Sequence, residues 1–257
     1  MIDPVVDSHI ADGIAVLTLN NPSKRNALST GMMVALIDAL ESVGAEPHVH
    51  AIILRANGPV FSAGHDLREL VDHDQEEYEN IFNVCTELMM LIRTLGQPVI
   101  AEVRGLATAA GCQLVAACDL AVASEDAHFA TPGVNIGLFC TTPGIAVSRT
   151  VPRKKALEML LTGVPISAAD AERAGLVNRV VPADQLEETT RLLAERIAAS
   201  SNETIKLGKD AFYRQVEMNT ADAYRFGQSK MVENLGQADA KEGIQAFLEK
   251  RKPRWTG

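Results

Sequence analysis

Three segments of this 257-residue sequence combine residue types and spacings that can do chemistry. The first is Asn21-Pro22-Ser23-Lys24-Arg25-Asn26-Ala27-Leu28-Ser29, a polar turn with two adjacent cations between an apolar stretch and a helical pattern. A solvated loop is its simplest reading, and paired cations there also suit an anionic ligand. The second is Gly58-Pro59-Val60-Phe61-Ser62-Ala63-Gly64-His65-Asp66-Leu67, and the third is Gly105-Leu106-Ala107-Thr108-Ala109-Ala110-Gly111-Cys112-Gln113. Each runs from a strand pattern into a helical one through small residues, which let a backbone approach a ligand. The first N–H groups of a helix have no partner inside it. Two such starts in one sheet can aim donors at a single oxygen, which is how an oxyanion is held. Taken singly, a glycine-rich turn is usually only a tight turn.

Few side chains nearby can carry protons or attack a carbonyl. His65 can titrate near neutral pH, although a ring lining a groove is the simpler reading. Cys140, followed by Thr141 and Thr142, needs a stabilised thiolate to be a nucleophile; no base adjoins it in sequence, so packing is the simpler reading. Asp119 reads as a structural cap at a strand start. Glu69, Asp72 and Asp74 read as a solvated acidic face. His48 and His50 have only Glu46 close by and read as surface residues, not metal ligands. Cys85, Cys112, Cys118 and Cys140 form no C-x-x-C pair, which suits reduced thiols better than a disulfide frame or a zinc site.

The elements that position these residues follow from periodicity. Residues 14–19 are apolar apart from Thr18, as in a strand buried on both faces, and residues 51–54, 98–103 and 119–124 are further strand-like runs. Ser29 is a natural N-cap for a helix burying Met33, Leu36, Ile37 and Leu40, and residues 78–95 carry an apolar face over several turns. Strands separated by such helices predict βαβ crossovers, a mostly parallel sheet and the α/β class. Past residue 165 only residues 177–181 look like a strand. Helices are expected at 185–198, 204–218, 221–235 and 240–250, with Ser167 and Asp170 capping another. The change of pattern divides the chain into a core of residues 1–200 and a helical region of residues 201–257. Amphipathic helices without a sheet need a surface to cover them, so packing on the core or in a homo-oligomer is expected.

Composition removes some classes of function. A net charge of −9, from 24 Lys and Arg against 33 Asp and Glu, argues against a nucleic-acid partner but leaves room for a small anion held by local lysines. No run approaches the roughly 20 apolar residues of a membrane span. Residues 1–20, with Asp3, Asp7 and Asp12, resemble neither a basic signal peptide nor an arginine-rich transit peptide. A cytoplasmic protein without membrane insertion is expected.

In order and spacing, six segments resemble the crotonase (enoyl-CoA hydratase/isomerase) superfamily. They are the Asn21 to Leu28 turn, Phe61-Ser62-Ala63-Gly64-His65-Asp66-Leu67, Gly105 to Cys112, Cys118-Asp119-Leu120, Phe129-Ala130-Thr131-Pro132 with Gly137, and Phe247-Leu248-Glu249-Lys250-Arg251-Lys252-Pro253. Pro132 to Cys140 is most like the mitochondrial enoyl-CoA hydratase domain-containing protein 3 group. The resemblance implies a crotonase-like (ββα)-repeat core with a C-terminal helical trimerisation region, and a homotrimer or a hexamer built as a dimer of trimers. It implies an acyl-CoA thioester as ligand, with coenzyme A as part of the substrate and no resident cofactor or metal. The thioester oxygen would meet backbone N–H groups of His65 and Ala110. Lys24, Arg25, Ala27, Ala63, His65, Asp66, Leu67 and Lys252 (or Lys250) would contact CoA, and Phe139, Cys140 and Thr141 would line the acyl pocket. The two glutamates with which relatives handle water fall on Gln113 and Gly133, neither of which titrates. Standard hydration is therefore not expected. Enolate chemistry with another proton carrier, and acyl-CoA binding or sensing without turnover, both stay open.

Overall fold

The computed structural model describes residues 5–256; Asp3 lies outside them. β1 (Val6–Ala11) and β2 (Ile14–Leu19) form an antiparallel hairpin, and α1 (Thr30–Ala45) then crosses to β3 (Ala51–Ala56), parallel to β2 with Ile14 opposite Ala51. From β3 onward each long strand is followed by a three-residue strand. β4 (Val60–Ser62) leads to α2 (Gln75–Thr94) and β5 (Val99–Val103); β6 (Leu106–Thr108) leads to α3 (Ala110–Ala117) and β7 (Leu120–Ser124). β8 (His128–Ala130) leads to α4 (Thr141–Thr150) and α5 (Arg153–Thr162). After them come β9 (Ile166–Ser167), α6 (Ala168–Ala174), β10 (Arg179–Val181), α7 (Leu186–Ala198), α8 (Asn202–Gln215), α9 (Thr220–Gly236) and α10 (Ala238–Leu248).

The repeat winds into two sheets. Long strands form one in the order β1-β2-β3-β5-β7-β10, and short strands form the other in the order β4-β6-β8-β9. Periodicity alone predicts a single sheet, because three residues such as Leu106–Thr108 are too few to show a period. The apolar character of β2 is explained by cover on both faces. Leu17, Leu19 and Leu54 pack with Met33, Leu36, Leu40 and Leu88 of α1 and α2, while Ile14, Ile53, Ile100 and Val122 pack with Leu186 and Ala194 of α7. Helix starts follow their caps. The Ser29 hydroxyl accepts from the Met32 N–H, Asp74 and Glu77 form a reciprocal capping box on α2, and Ser167 accepts from the Asp170 N–H.

α8 is pinned to the core by a buried ion pair. Lys209 Nζ lies 2.7 Å from Asp119 Oδ2 and 2.9 Å from the carbonyl oxygens of both Ile92 and Gln97. Asp119 also accepts from the Val99 N–H and the Tyr213 hydroxyl, so the strand-start cap doubles as the anchor of the helical region. The tail folds back on α10: Arg251 pairs with Glu242, the Trp255 indole donates to the Ala199 carbonyl, and Thr256 donates to Asp239. α9 and α10 leave Tyr224, Met231, Val232, Phe247 and Leu248 exposed. Among the described residues, no helix is long and apolar enough to cross a membrane.

Candidate active site

Asn26 locks the first segment to the second. It is fully buried, donates from Nδ2 to the carbonyls of Asn57 and Val60, and accepts the Asn21 N–H on Oδ1. Its carbonyl accepts the Ser62 hydroxyl. The chain then runs alongside itself, with the Ala63 N–H on the Arg25 carbonyl at 3.0 Å and the Leu28 N–H on the Gly64 carbonyl at 2.7 Å. Three hydrogen bonds of the Asn26 amide thus fix the turn that carries Lys24 and Arg25, both exposed.

The second and third segments touch through Gly64. A Cβ there would lie 2.8 Å from the Ala109 Cβ and 3.0 Å from the Ala110 nitrogen, so only glycine lets the two helix starts meet. Ala109 has φ 50° and ψ −120°, a region that costs an alanine about 1–3 kcal/mol. Its own N–H is held by the Ala130 carbonyl. Ala110 is the first residue of α3, where an N–H has no intrahelical acceptor. Among the described residues, neither the Ala110 N–H nor the His65 N–H donates a hydrogen bond outside the regular helices and strands.

Both residues line a cavity of about 540 Å³. Of the residues singled out from sequence, it brings together Ala63, His65, Leu67, Ala110, Gly133, Phe139, Cys140 and Thr141. It adds Thr108, Ile136 and Leu138 from the same segments, and Leu70 and Phe82, of which Phe82 is not readable from sequence because it comes from mid-α2 and its wall position depends on tertiary packing. No Asp, Glu, Lys or Arg is among the lining residues. Its polar lining consists of uncharged side chains, among them Thr108, Asn135, Thr141 and Thr142, together with His65, and the first residues of α3 and α4 also lie on it.

The remaining singled-out residues lie off the lining. Ala27 is half-buried in the turn, with its N–H on the Lys24 carbonyl. Asp66 caps the short turn after it by accepting the Arg68 N–H. Lys250 and Lys252 are exposed around the folded-back tail. Glu69, read as a solvated acid, is half-buried and accepts both the N–H and the hydroxyl of Thr30, which caps α1 from outside. His50 is likewise not fully a surface residue, since its Nδ1 is buried without a partner. Among the described residues no cluster of three or more His, Cys, Asp or Glu side chains is placed to share a metal ion.

At Gln113 and Gly133, expected from the resemblance to stand where relatives carry glutamates, the geometry is specific. Gln113 is 5% exposed, turned to Cys85 with 4.0 Å between Oε1 and Sγ, and absent from the cavity wall. Gly133 lines the cavity but has no room for a side chain: a Cβ would lie 2.3 Å from the Leu138 carbonyl oxygen and 2.8 Å from Cys140 Sγ. Its N–H donates to that sulfur at 3.3 Å, and its carbonyl accepts the Leu138 N–H at 2.9 Å. The Leu138 carbonyl and the Cys140 thiol therefore occupy the space that any side chain at 133 would enter. All four cysteines are free and buried. Burial pushes the Cys85 thiol up to about 11 and Cys112 up to about 12, and raises Cys140 too, partly opposed by the Gly133 N–H. They are thiols at neutral pH.

The family model described as Enoyl-CoA hydratase/isomerase matches residues 9–257. This chain belongs to that family. It is 52% identical over 245 residues to enoyl-CoA hydratase domain-containing protein 3, mitochondrial, of Xenopus laevis, covering 95% of this chain and 83% of that one. The Homo sapiens protein of that name is 51% identical over 246 residues, with 95% and 81% covered. Among solved structures, human enoyl Coenzyme A hydratase domain-containing protein 3 matches with TM-score 0.96 and 49% identity over 98% of this chain and all of that one. An enoyl-CoA hydratase of Mycobacterium smegmatis matches with TM-score 0.96 and 46% identity over 99% and 100%. The crotonase fold and the likeness to the domain-containing protein 3 group thus agree with the sequence motifs. The cytoplasmic placement does not hold: the relatives sharing half of their residues with this chain are named mitochondrial. Acidic residues near the start say only what a leader would not look like, and carry no information on compartment.

Proposed function

We propose that this family member binds acyl-CoA thioesters with an uncharged, apolar acyl group and stabilises the enolate formed from them. The observation that carries the reading is the pair of N–H donors on His65 and Ala110 at one apolar cavity, without another acceptor outside the regular elements. As a thioester becomes an enolate, charge moves onto the carbonyl oxygen, and fixed donors then bind the transition state better than the substrate. With no cation on the wall, a malonyl-type substrate would bury its carboxylate unpaired, which disfavours decarboxylation. Lys24 and Arg25 would meet the phosphates of CoA from the adjoining turn, which is bonded to Ala63. The reading calls for no cofactor beyond the CoA of the substrate itself. Hydration at an ordinary enzymatic rate is not part of it, since Gln113 and Gly133 occupy the acid positions.

Calorimetry with butyryl-CoA and its thioether analogue, which has no carbonyl oxygen, tests the donor pair. The thioester should bind about tenfold or more tightly, the scale of one or two hydrogen bonds. Equal affinities would refute it. Binding without turnover is the second reading, favoured by the uncharged wall. We also propose a homotrimer or hexamer, supported by the exposed apolar residues of α9 and α10, and light scattering that found a monomer at micromolar concentration would reject it.

A further inference from the structure

The acyl-thioester reading leaves open how long an acyl chain the site takes. Resting on that reading, we infer that the chain has about eight carbons or more and that its far end lies on an apolar rim made by Leu67, Ile136, Leu138 and Phe139.

The cavity is larger than a short chain needs. A cavity of about 150 Å³ holds one benzene molecule, so about 540 Å³ has room for more than three such groups. A butyryl group together with the cysteamine end of CoA has about nine non-hydrogen atoms and fills less than half of that space.

The apolar wall also continues past the cavity. Leu67, Ile136, Leu138 and Phe139 all line it, yet each is 51–58% exposed, so the lining runs outward to the surface. Single exposed apolar side chains are ordinary on any protein, but several that border one opening mark a binding surface.

Both parts of this rim are held by polar contacts. In the loop after β8 the Leu138 N–H donates to the Gly133 carbonyl at 2.9 Å, the Thr141 N–H to the Phe139 carbonyl at 2.7 Å and the Gly137 N–H to the Val134 carbonyl at 3.3 Å. Leu67 lies on the one-turn helix Leu67–Leu70, where Asp66 accepts the Arg68 N–H and Glu69 accepts the N–H and hydroxyl of Thr30. That turn sorts its residues by polarity: Leu67 and Leu70 line the cavity, while Arg68 and Glu69 do not. The apolar side chains are thus presented by a fixed backbone.

The identity of the occupant follows from what lies at each end. Donors on His65 and Ala110 fix the carbonyl oxygen, and everything beyond the carbonyl must run along a wall with no Asp, Glu, Lys or Arg. Hydrocarbon suits that path. A second copy of the chain is the other candidate for a bare apolar surface, but these side chains belong to the cavity wall itself, apart from the exposed faces of α9 and α10. Each methylene buried there raises affinity about fourfold, the equivalent of about 0.8 kcal/mol.

Calorimetry across butyryl-, hexanoyl-, octanoyl- and decanoyl-CoA, below their micelle thresholds, reads the chain length. Octanoyl-CoA should bind about tenfold or more tightly than butyryl-CoA, less than the full gain of four buried methylenes because the rim stays partly open to water. Leu138→Ser and Phe139→Ser, at positions exposed enough to spare the core, should each cut the octanoyl-to-butyryl affinity ratio about fivefold or more. Octanoyl- and decanoyl-CoA binding within about twofold of butyryl-CoA, or more weakly, would overturn the inference, and the native protein alone gives that result should the variants not fold. An unchanged ratio in folded variants would overturn the placement on the rim; light scattering that showed those variants altered in oligomeric state would make it an interface between copies. Binding of butyryl-CoA with no dependence on length defeats this inference and spares the acyl-thioester reading, whereas failure of every thioester to bind defeats both.

Discussion

Gly133→Ala is the smallest change that tests whether position 133 has room for a side chain. The added Cβ lies 2.3 Å from the Leu138 carbonyl oxygen, about 1 Å inside ordinary contact, and 2.8 Å from Cys140 Sγ. A sulfur at the end of a side chain can rotate away; a backbone carbonyl cannot, so the loop of residues 133–140 must shift. Overpacking of this kind costs about 1–3 kcal/mol. The shift also strains the Leu138 N–H bond to the Gly133 carbonyl and the Gly133 N–H bond to Cys140, each worth about 1 kcal/mol. The sum is about 3–5 kcal/mol. For a chain of this size it lowers the melting temperature by about 6–20 °C, at about 2–4 °C per kcal/mol. Thermal unfolding followed by circular dichroism measures it, with Cys140→Ala as a partner in a double-mutant cycle. Relief by the cysteine change should be partial, because the carbonyl contact remains. A Gly133→Ala protein melting within about 2 °C of the native one would refute the steric account. If the account holds, Gln113→Glu combined with Gly133→Glu will not hydrate crotonyl-CoA, since the second glutamate displaces the loop it should stand on.

Three other outcomes are expected. Lys24→Ala with Arg25→Ala should weaken CoA thioester binding about tenfold or more by calorimetry, and unchanged affinity would take the turn out of the site. Ala109→Gly should raise stability by about 1 kcal/mol in denaturant titration, because glycine is at ease at φ 50° and ψ −120°. Lys209→Met should cost about 3 kcal/mol or more, since it leaves the Asp119 carboxylate buried with the Tyr213 hydroxyl and the Val99 N–H but no cation.

Much of this architecture is legible in the sequence because its signals are local. Ser29, Ser167 and the run Ile14–Leu19 announce a cap, a second cap and a strand buried on both faces, and each is found at that place. Three-residue strands such as Val60–Ser62 have no period to read, so the second sheet is visible only once β4, β6 and β8 lie side by side. The partners of Asp119 are 90 and 94 residues away at Lys209 and Tyr213, well outside any local pattern.

Positions 113 and 133 show the deeper reason that sequence stops short. The resemblance implies the same of both Gln113 and Gly133, a residue without a carboxylate where relatives carry a glutamate, yet space treats them differently. Gln113 keeps a side chain but turns it toward Cys85 and off the cavity wall, so a glutamate in that pose would be buried against an apolar neighbour with its proton retained. Gly133 keeps its place on the wall and gives up the side chain, because the Leu138 carbonyl and the Cys140 sulfur have taken the volume. Room for a side chain at 133 therefore cannot be made at 133 alone; it depends on residues 138 and 140, five and seven places along the chain. Which of the two positions can carry an acid is decided by these tertiary contacts and not by the residue type on its own.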